Sequence, residues 1–330
     1  MKIRYEAVSN VGLVRTNNED MALVFGEYIR DNNIAFAFDL TPQMPFTAIV
    51  ADGMGGMNGG EVASQMATAA FNSFAESLTP GMSPDEVVMA LKQWTRLCDR
   101  SIVERGQQDP SLLRMGTTLT GLLAFNNTLF VLNIGDSRTY RLRYDIFKQL
   151  TEDHSERQRT GDQSVPANLI YNALGTGTAF IDVKVMQLVE GDRYVVCSDG
   201  LSDMVSDEAI EQMLRNGDSA RQYVQAALQG GGRDNVTVIV LDVEKDKKNR
   251  PNRKDRNKKK KEIDRKTEIK RKNSPAKNKR QGLAFRGPLT FVLCRAILFM
   301  SRSCYRAVSY LPTTNFCTRA PPSAVLTDMM

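Results

Sequence analysis

The chain has 330 residues, of which 42% are hydrophobic, which is ordinary for a globular protein and ample for a core. The net charge of +6 averages two unlike parts: residues 1–243 carry −11 and residues 244–330 carry +17. One histidine and five widely spaced cysteines without a CxxC pair exclude histidine-rich zinc sites and disfavour a disulfide framework, so we expect a reducing, cytoplasmic setting.

The first part of the chain alternates strands with two long helices. Strands are predicted at 3–12 and 46–52, where short apolar runs end in polar turns. Residues 60–78 carry apolar side chains at a helical period. Ser83, followed by a proline and two acids, is typical of a helix N-terminus and predicts a second helix over 83–106.

Hairpins dominate the next part of the chain. Strands are predicted at 117–125, 128–136 and 138–145, and two asparagines between the first two suit a hairpin turn. Residues 153–180 are polar and predict a surface excursion with a short helix. The remaining predicted elements are strands at 180–188 and 192–199, helices at 206–216 and 218–229, and a closing strand at 235–243. Hairpin-linked strands with paired helices indicate an α+β fold, an antiparallel sheet system covered by helices.

The composition changes after Val243. Residues 245–280 hold 19 Lys and Arg against 5 Asp and Glu and have almost no large apolar side chains, so we expect a disordered basic linker over 244–282. Residues 283–330 are weakly apolar, and four arginines within 283–313 argue against a membrane-spanning helix. This tail suits peripheral contact with an anionic membrane surface, with a solvated tail lacking any partner as the equal alternative.

Carboxylates recur at strand ends. Asp52, Asp136 and Asp199 each follow an apolar strand, Asp234 precedes one, and Glu19 follows the first strand. Each alone is more typical of a turn than of a ligand. Together, in a part of the chain that carries −11, they indicate hard divalent cations bound through oxygen.

Arg15 adds a phosphate-binding group to these acids, because a guanidinium offers a fork of donors that fits phosphate oxygens. Two metal ions can activate a water and stabilise displacement at phosphorus. No GxxxxGK[ST] or GxGxxG motif is present, so nucleotide binding through a phosphate-cradling loop is poorly supported. A two-metal phosphodiesterase or nuclease and an inactive phosphoprotein-binding module remain alternatives.

Residues 3–243 resemble the bacterial form of the metal-dependent serine/threonine protein phosphatases of the type 2C class. The resemblance is carried by motifs in family order: VGLVRTNNEDMAL, VADGMGGMNGGEVAS, MGTTLTGLL, NIGDSRTYRL, LTEDHS, ALG, VVCSDGLSDMV and GGRDNVTVIV. It implies a phosphatase domain over 1–243 made of two packed antiparallel β-sheets flanked by helix pairs. The site would lie in a cleft at one end, beside a mobile flap at about 153–180.

The resemblance also implies roles for individual residues. The implied ligands of two Mn²⁺ or Mg²⁺ ions are Glu19, Asp52, the carbonyl of Gly53, Asp199 and Asp234, with Asp52 bridging both ions. Asp136, together with Asp199, matches a third-ion site, and Arg15 matches the phosphate-binding arginine. The implied reaction is hydrolysis of phosphoserine and phosphothreonine by direct attack of a metal-activated water. The implied partners are phosphorylated proteins, including a serine/threonine kinase, and no specific nucleic acid.

Two positions depart from the family pattern. Met54 stands where eukaryotic members carry a histidine, so the usual proton donor is missing. A metal-bound water would then protonate the leaving group. His154 is the other candidate donor, and a loop-positioning hydrogen bond is its alternative role. Asn172 stands where bacterial relatives often carry an arginine, which affects the expected contacts between flap and substrate rather than the chemistry.

Overall fold

The computed structural model describes residues 1–55, 59–166 and 168–244. The predicted linker after Glu244 and the predicted apolar tail over 283–330 lie outside these residues, so their predictions stay predictions. Along the described ranges, no helix has both the length and the apolar character needed to cross a bilayer.

The strands of the described residues form two six-stranded antiparallel sheets. Across the first sheet the order is β11 (Ile146–Gln149), β10 (Arg138–Arg143), β13 (Arg193–Cys197), β14 (Val236–Glu244), β1 (Lys2–Asn10) and β4 (Asn33–Asp39). Across the second it is β12 (Asp182–Gln187), β9 (Thr128–Ile134), β8 (Leu119–Phe125), β5 (Phe46–Ala51), β2 (Met21–Val24) and β3 (Glu27–Ile29). A small ribbon pairs β6 (Gly53–Met54) with β7 (Gly116–Thr117).

Four helices cover the outer faces of the two sheets: α1 (Gly59–Ser77) and α2 (Pro84–Gln108) on the second, and α5 (Asp207–Asn216) and α6 (Ala220–Gln229) on the first. The described residues also contain two short helices, α3 (Glu156–Thr160) and α4 (Asp199–Ser202), and a 3-10 helix at Pro110–Leu112. Helix α2 begins as predicted, with Ser83 and Glu86 forming a reciprocal capping box that satisfies two otherwise free backbone N–H groups.

Three apolar layers hold these elements together. Tyr5, Phe46 and Ile239 belong to the layer between the two sheets. Helices α1 and α2 pack on the second sheet through Phe71 and Trp94, whose rings meet edge to face at 5.1 Å. Helices α5 and α6 form the matching layer on the first sheet. The predicted α-β-β-α sandwich is therefore confirmed.

The predicted elements are found with small shifts of their ends, with one exception. The strand predicted at 117–125 is two strands, because Thr117 pairs with Gly53 in the small ribbon while Leu119 begins the pairing with β9. The predicted hairpin turn is present, and both Asn126 and Asn127 have positive φ. Strands β2, β3, β4 and β11 were not predicted from the sequence; they are short or lie at sheet edges.

Candidate active site

The predicted acidic residues leave both sheets at one end of the sandwich. Asp52 follows β5 and Asp136 follows β9 of the second sheet. Asp199 follows β13 and Asp234 precedes β14 of the first sheet. Because these strands run antiparallel and alternate in direction, the two sheets deliver four carboxylates to a common edge.

Asp52 is fixed by its backbone rather than by its side chain. The Thr118 N–H donates to the Asp52 carbonyl at 2.8 Å, and the Asp52 N–H donates to Thr118 Oγ1 at 3.0 Å. The Thr117 hydroxyl donates to the same carbonyl at 2.8 Å. The carboxylate takes no part in these bonds. Burial raises its pKa well above the ordinary range, and the neighbouring Asp20, Asp199 and Asp136 raise it further.

Glu19 lies against the first turn of α1. The Gly60 N–H donates a hydrogen bond to its carboxylate, while burial raises the pKa of that carboxyl. The approach is close enough to require glycine: a Cβ on Gly60 would lie 2.8 Å from Glu19 Cδ and 2.6 Å from the Gly53 carbonyl carbon. The glycine-rich stretch after Asp52 therefore brings the helix, Gly53 and Glu19 together.

Arg15 reaches the site from the loop after β1. Its Nη2 donates to Asp234 Oδ2 at 2.6 Å, and its side chain is 53% exposed. Glu19 and Asp52 also act on it electrostatically, and the Asp234 hydrogen bond is the main cause of its raised pKa. One edge of the guanidinium is anchored to Asp234 while much of the side chain remains accessible to a ligand.

Asp199 lies at the start of α4 and shares a hydrogen bond with the Asp52 carboxyl. Burial raises the pKa of Asp199 to about 6. The neighbouring Asp20 is fully buried and accepts a hydrogen bond from Ser198 Oγ at 2.8 Å, and burial raises its pKa to about 7. One oxygen each of Asp20 and Asp199 is buried without a hydrogen-bond partner. Such oxygens are costly unless a cation or donor faces them.

Asp136 borders a polar cleft of about 580 Å³ that Asp199 and Asp203 also line. Burial raises the pKa of Asp136 to about 8, and Asp199 adds to the effect. The predicted flap forms another wall of the cleft through α3, which contributes Arg157. Arg138 braces this region, since its guanidinium donates to Asp153 through Nε and Nη2 at 2.7–3.1 Å.

The ring of His154 is buried, and both its nitrogens are engaged. Nδ1 accepts from the Gly135 N–H at 3.1 Å and from Asn172 Nδ2 at 2.7 Å. Because a backbone N–H can only donate, Nδ1 carries no proton, and the proton on Nε2 is directed to Asp182 Oδ2 at 3.1 Å. This is the geometry of the loop-positioning alternative rather than of a proton donor facing the cleft.

The donor set fits hard divalent cations. Among the described residues, no three His, Cys, Asp or Glu side chains form a ready-made cage. The carboxyl groups nevertheless converge: Asp52 and Asp199 lie within hydrogen-bonding reach, and Asp136 and Asp234 act on them electrostatically. Carboxyls that repel one another in a desolvated site gain from a cation that replaces the shared proton. The buried, unpartnered oxygen of Asp199 supplies one free donor for it.

Two residues that assemble the site, Thr118 and Asn235, were not predicted from the sequence. Thr118 connects the Asp52 loop to the next, since its hydroxyl also bonds Ser137 Oγ at 2.8 Å beside Asp136. Asn235 joins the first loop to β14, because its side chain donates to the carbonyls of Val11 and Asn17 and accepts from the Glu19 N–H at 2.8 Å. The motifs contained both residues, but only the fold shows what they contact.

Comparison with known sequences identifies relatives. Residues 34–236 match the family model of Protein phosphatase 2C. The chain is 36% identical over 254 residues to the serine/threonine protein phosphatase PstP of Mycobacterium tuberculosis, an alignment covering 73% of this chain and 45% of PstP, so the chain spans less than half the length of that relative. It is 32% identical over 246 residues to the serine/threonine phosphatase stp of Listeria innocua, covering 70% of this chain and 92% of the relative.

Solved structures give the same answer. The crystal structure of Mycobacterium tuberculosis PstP matches 74% of this chain and 100% of its own, with 37% identity and a TM-score of 0.62. The catalytic domain of PstP in complex with two manganese ions matches with 36% identity, the same coverage and a TM-score of 0.61.

Proposed function

The chain belongs to the protein phosphatase 2C family, and we propose that it hydrolyses phosphoserine and phosphothreonine in proteins with Mn²⁺ or Mg²⁺ as cofactor. The observation that carries the proposal is the convergence of Asp52 with Asp136 and Asp199, the last two of which line one cleft, together with the accessible guanidinium of Arg15, on which Asp52 acts electrostatically. Carboxylates that need cations, next to a group that fits phosphate oxygens, make a site for a phosphate ester.

The metal-binding roles follow from position. Asp52 would be a ligand shared by two ions, because the carboxyls that raise its pKa include Asp136, after a strand of the second sheet, and Asp199, after a strand of the first. Glu19 and the Gly53 carbonyl would help to hold one ion, and Asp199 and Asp234 the other. Asp136 and Asp199 would hold a third. When bound, such ions polarise the phosphoryl oxygens and lower the pKa of a water nucleophile.

Arg15 binds the phosphate of the substrate. Its salt bridge with Asp234 fixes the direction of the guanidinium before substrate arrives, which reduces the ordering cost of binding. Phosphate oxygens are then gripped by donors that Asp234 does not use. Arg15 therefore contributes binding more than chemistry.

The proton for the leaving oxygen comes from water in the polar cleft. Met54 has no proton to give, and the protonated nitrogen of His154 faces Asp182. The cleft is lined mainly by polar and charged side chains, so water has many partners in it.

The test is phosphate release from a phosphothreonine peptide with Mn²⁺ and with a chelator. Wild type should turn over only with metal, and Asp52→Asn should abolish turnover because both ions lose a ligand. Asp145→Asn is the matched control: Asp145 is 96% exposed in a turn at φ 62°, which Asn tolerates equally well. Full turnover in chelator would refute the proposal. Cleavage of a DNA oligomer, or phosphopeptide binding without turnover, would favour the two alternatives instead.

We also propose that residues 1–243 are the catalytic domain, that the protein is cytoplasmic, and that a serine/threonine kinase is among its substrates. The two cysteines in the described residues, Cys98 and Cys197, are buried free thiols, which suits a reducing compartment. Dephosphorylation of an autophosphorylated kinase by wild type, and its loss in Asp52→Asn, would support the substrate assignment.

For residues 245–330 we propose peripheral binding to anionic membranes, supported by 19 basic residues within 245–280. A chain ending at Glu244 should keep peptide phosphatase activity and lose salt-sensitive binding to phosphatidylserine vesicles. Full-length protein that ignores such vesicles at low salt would contradict this proposal without affecting the enzymatic one.

A further inference from the structure

The position of Asp136 depends on the preceding residue, Gly135, whose backbone makes two hydrogen bonds with His154. The Gly135 N–H donates to His154 Nδ1, and the Gly135 carbonyl accepts from the His154 N–H at 2.9 Å. Asn133 Nδ2 donates to the same carbonyl at 3.0 Å and to the Glu152 carbonyl at 2.8 Å. Both polar groups of the Gly135 residue are therefore fixed from the beginning of the flap segment.

The backbone at Gly135 adopts a conformation that requires glycine. Its φ is +103°, which favours glycine, and a Cβ there would lie 2.6 Å from Thr118 Cγ2. Thr118 lies on one side and His154 on the other, so the direction in which Asp136 leaves the strand depends on both. Thr118 also binds the backbone of Asp52, so the two carboxylates share one framework.

The ring of His154 is itself held by the far end of the flap. Asn172 donates to Nδ1, and its amide is oriented by two further bonds to Phe180: it donates to the carbonyl at 2.9 Å and accepts from the N–H at 3.1 Å. These bonds fix which end of the amide faces the ring. His154 and Asn172 are both almost fully buried. The two ends of the flap segment thus meet at His154.

We propose that His154 is a positioning residue that, through Nδ1, orients Gly135 and Asp136 and thereby sets the affinity of the Asp136 site for its divalent cation. The inference rests on the proposed function only in taking Asp136 as a metal ligand. It assigns the flap a second role, since undocking of Asn172 would loosen the His154 ring and weaken binding of the ion. By linkage, binding of that ion would stabilise the docked flap equally.

The test separates the two nitrogens of the ring. In His154→Asn, the amide oxygen can occupy the place of Nδ1 and still accept from Gly135. In His154→Gln, the longer side chain places its amide near Nε2 and leaves the Gly135 N–H without an acceptor. Calorimetric titration with Mn²⁺ alone measures each ion without any turnover, and thermal unfolding in chelator checks that each variant is folded.

We expect His154→Gln to lower the affinity for one Mn²⁺ ion by about 10–100-fold, as for loss of a residue that orients a ligand. The Mn²⁺ affinity of His154→Asn should stay within about threefold of that of the wild type. Adding His154→Gln to Asp136→Asn should change nothing further, since both act on the same ion. Wild-type Mn²⁺ binding by a folded His154→Gln, or loss of the ion in His154→Asn, would overturn the proposal. So would identical titrations of wild type and Asp136→Asn.

Failure of the proposed phosphatase function is a separate result. It would appear as absent phosphate release by the wild-type protein with Mn²⁺, whatever the titrations show. Conversely, if the wild type is an active phosphatase and His154→Gln lowers turnover without changing any Mn²⁺ affinity, the histidine acts in the chemistry and the positioning role is wrong.

Discussion

Gly60→Ala should damage the metal site through the position of the first turn of α1. A Cβ at this residue would lie 2.6 Å from the Gly53 carbonyl carbon and 2.8 Å from both Met54 N and Glu19 Cδ. Two of these three atoms are backbone, so no side chain can simply rotate away. Reaching ordinary contact at 3.4 Å requires roughly 0.6–0.8 Å of separation between α1 and the strand that carries Gly53.

For the stability of the fold, the cost of overpacking is partly offset by the higher helix propensity of alanine. The affinity of the site for metal has no such compensation. Overpacking of this kind costs about 1–3 kcal/mol, and replacing glycine by alanine in a helix offsets about 1 kcal/mol of that cost. The net loss of about 0–2 kcal/mol lowers Tm by no more than about 8 °C for a domain of this size. The same displacement separates Glu19 from Gly53, the two donors proposed for one ion, so we expect Mn²⁺ affinity to fall by about 10–100-fold.

Gly59→Ala is the matched control, because it adds the same methyl to the same helical turn. Its Cβ would lie 3.1 Å from Met115 Cβ and 3.7 Å from Met115 Cα, away from the acidic loops. Calorimetric Mn²⁺ titration and thermal unfolding of both variants give the comparison. Equal Mn²⁺ affinities for Gly60→Ala and Gly59→Ala would refute the idea that close approach of α1 builds the site.

Further predictions concern Arg15, the pH dependence of the metal site and Asp99. Arg15→Ala should raise KM for a phosphopeptide with kcat nearly unchanged, because the residue contributes uniform binding; steady-state kinetics that leave both constants untouched would remove its assigned role. Burial raises the pKa of Asp199, Asp20 and Asp136 to about 6, 7 and 8, so Mn²⁺ competes with protons for these carboxyls. The Kd for Mn²⁺, titrated at pH 6, 7 and 8, should therefore fall as the pH rises, by up to about tenfold per pH unit for each displaced proton. In chelator the folded chain holds more protons than the unfolded chain between about pH 4 and 8, so its Tm should fall as pH rises, and a Tm that rises would contradict this assignment. Asp99→Ala should lower the free energy of unfolding by about 3 kcal/mol, since Asp99 is buried and accepts hydrogen bonds from four backbone N–H groups between Gly175 and Ala179. Asp99→Asn keeps an acceptor and should lower it less. Unchanged hydrogen exchange at residues 175–179 of the Ala variant would disprove the anchoring.

The strand and helix pattern was predictable because each signal is local. Ser83 and Glu86 form the capping box that the order of residues indicates, and the two asparagines at 126–127 adopt the positive φ of a tight hairpin turn. The placement of Asp52, Asp136 and Asp199 just after strands was equally readable, since apolar runs that end in acids are visible without any partner strand.

What could not be predicted depends on contacts between distant parts of the chain. Thr118 looks like a strand residue, yet it interrupts the strand because it binds Asp52, 66 residues away. Asn235, just before β14, closes the Arg15 loop through a hydrogen bond to Asn17, 218 residues earlier in the chain. Edge strand β4 carries an exposed Phe36 and pairs only with β1, so the periodic burial that reveals central strands is absent.

The charges of the site also order its chemistry. Five carboxylates converge near the accessible guanidinium of Arg15, whose strongest interaction is already with Asp234. A phosphate dianion approaching this arrangement meets net repulsion in a partly desolvated cleft, where unscreened charges act over longer distances than in bulk water. Divalent cations would reverse that sign, and they would also offset the burial and the mutual repulsion that raise the pKa of these carboxyls. We therefore expect the phosphate group to bind after the metal ions.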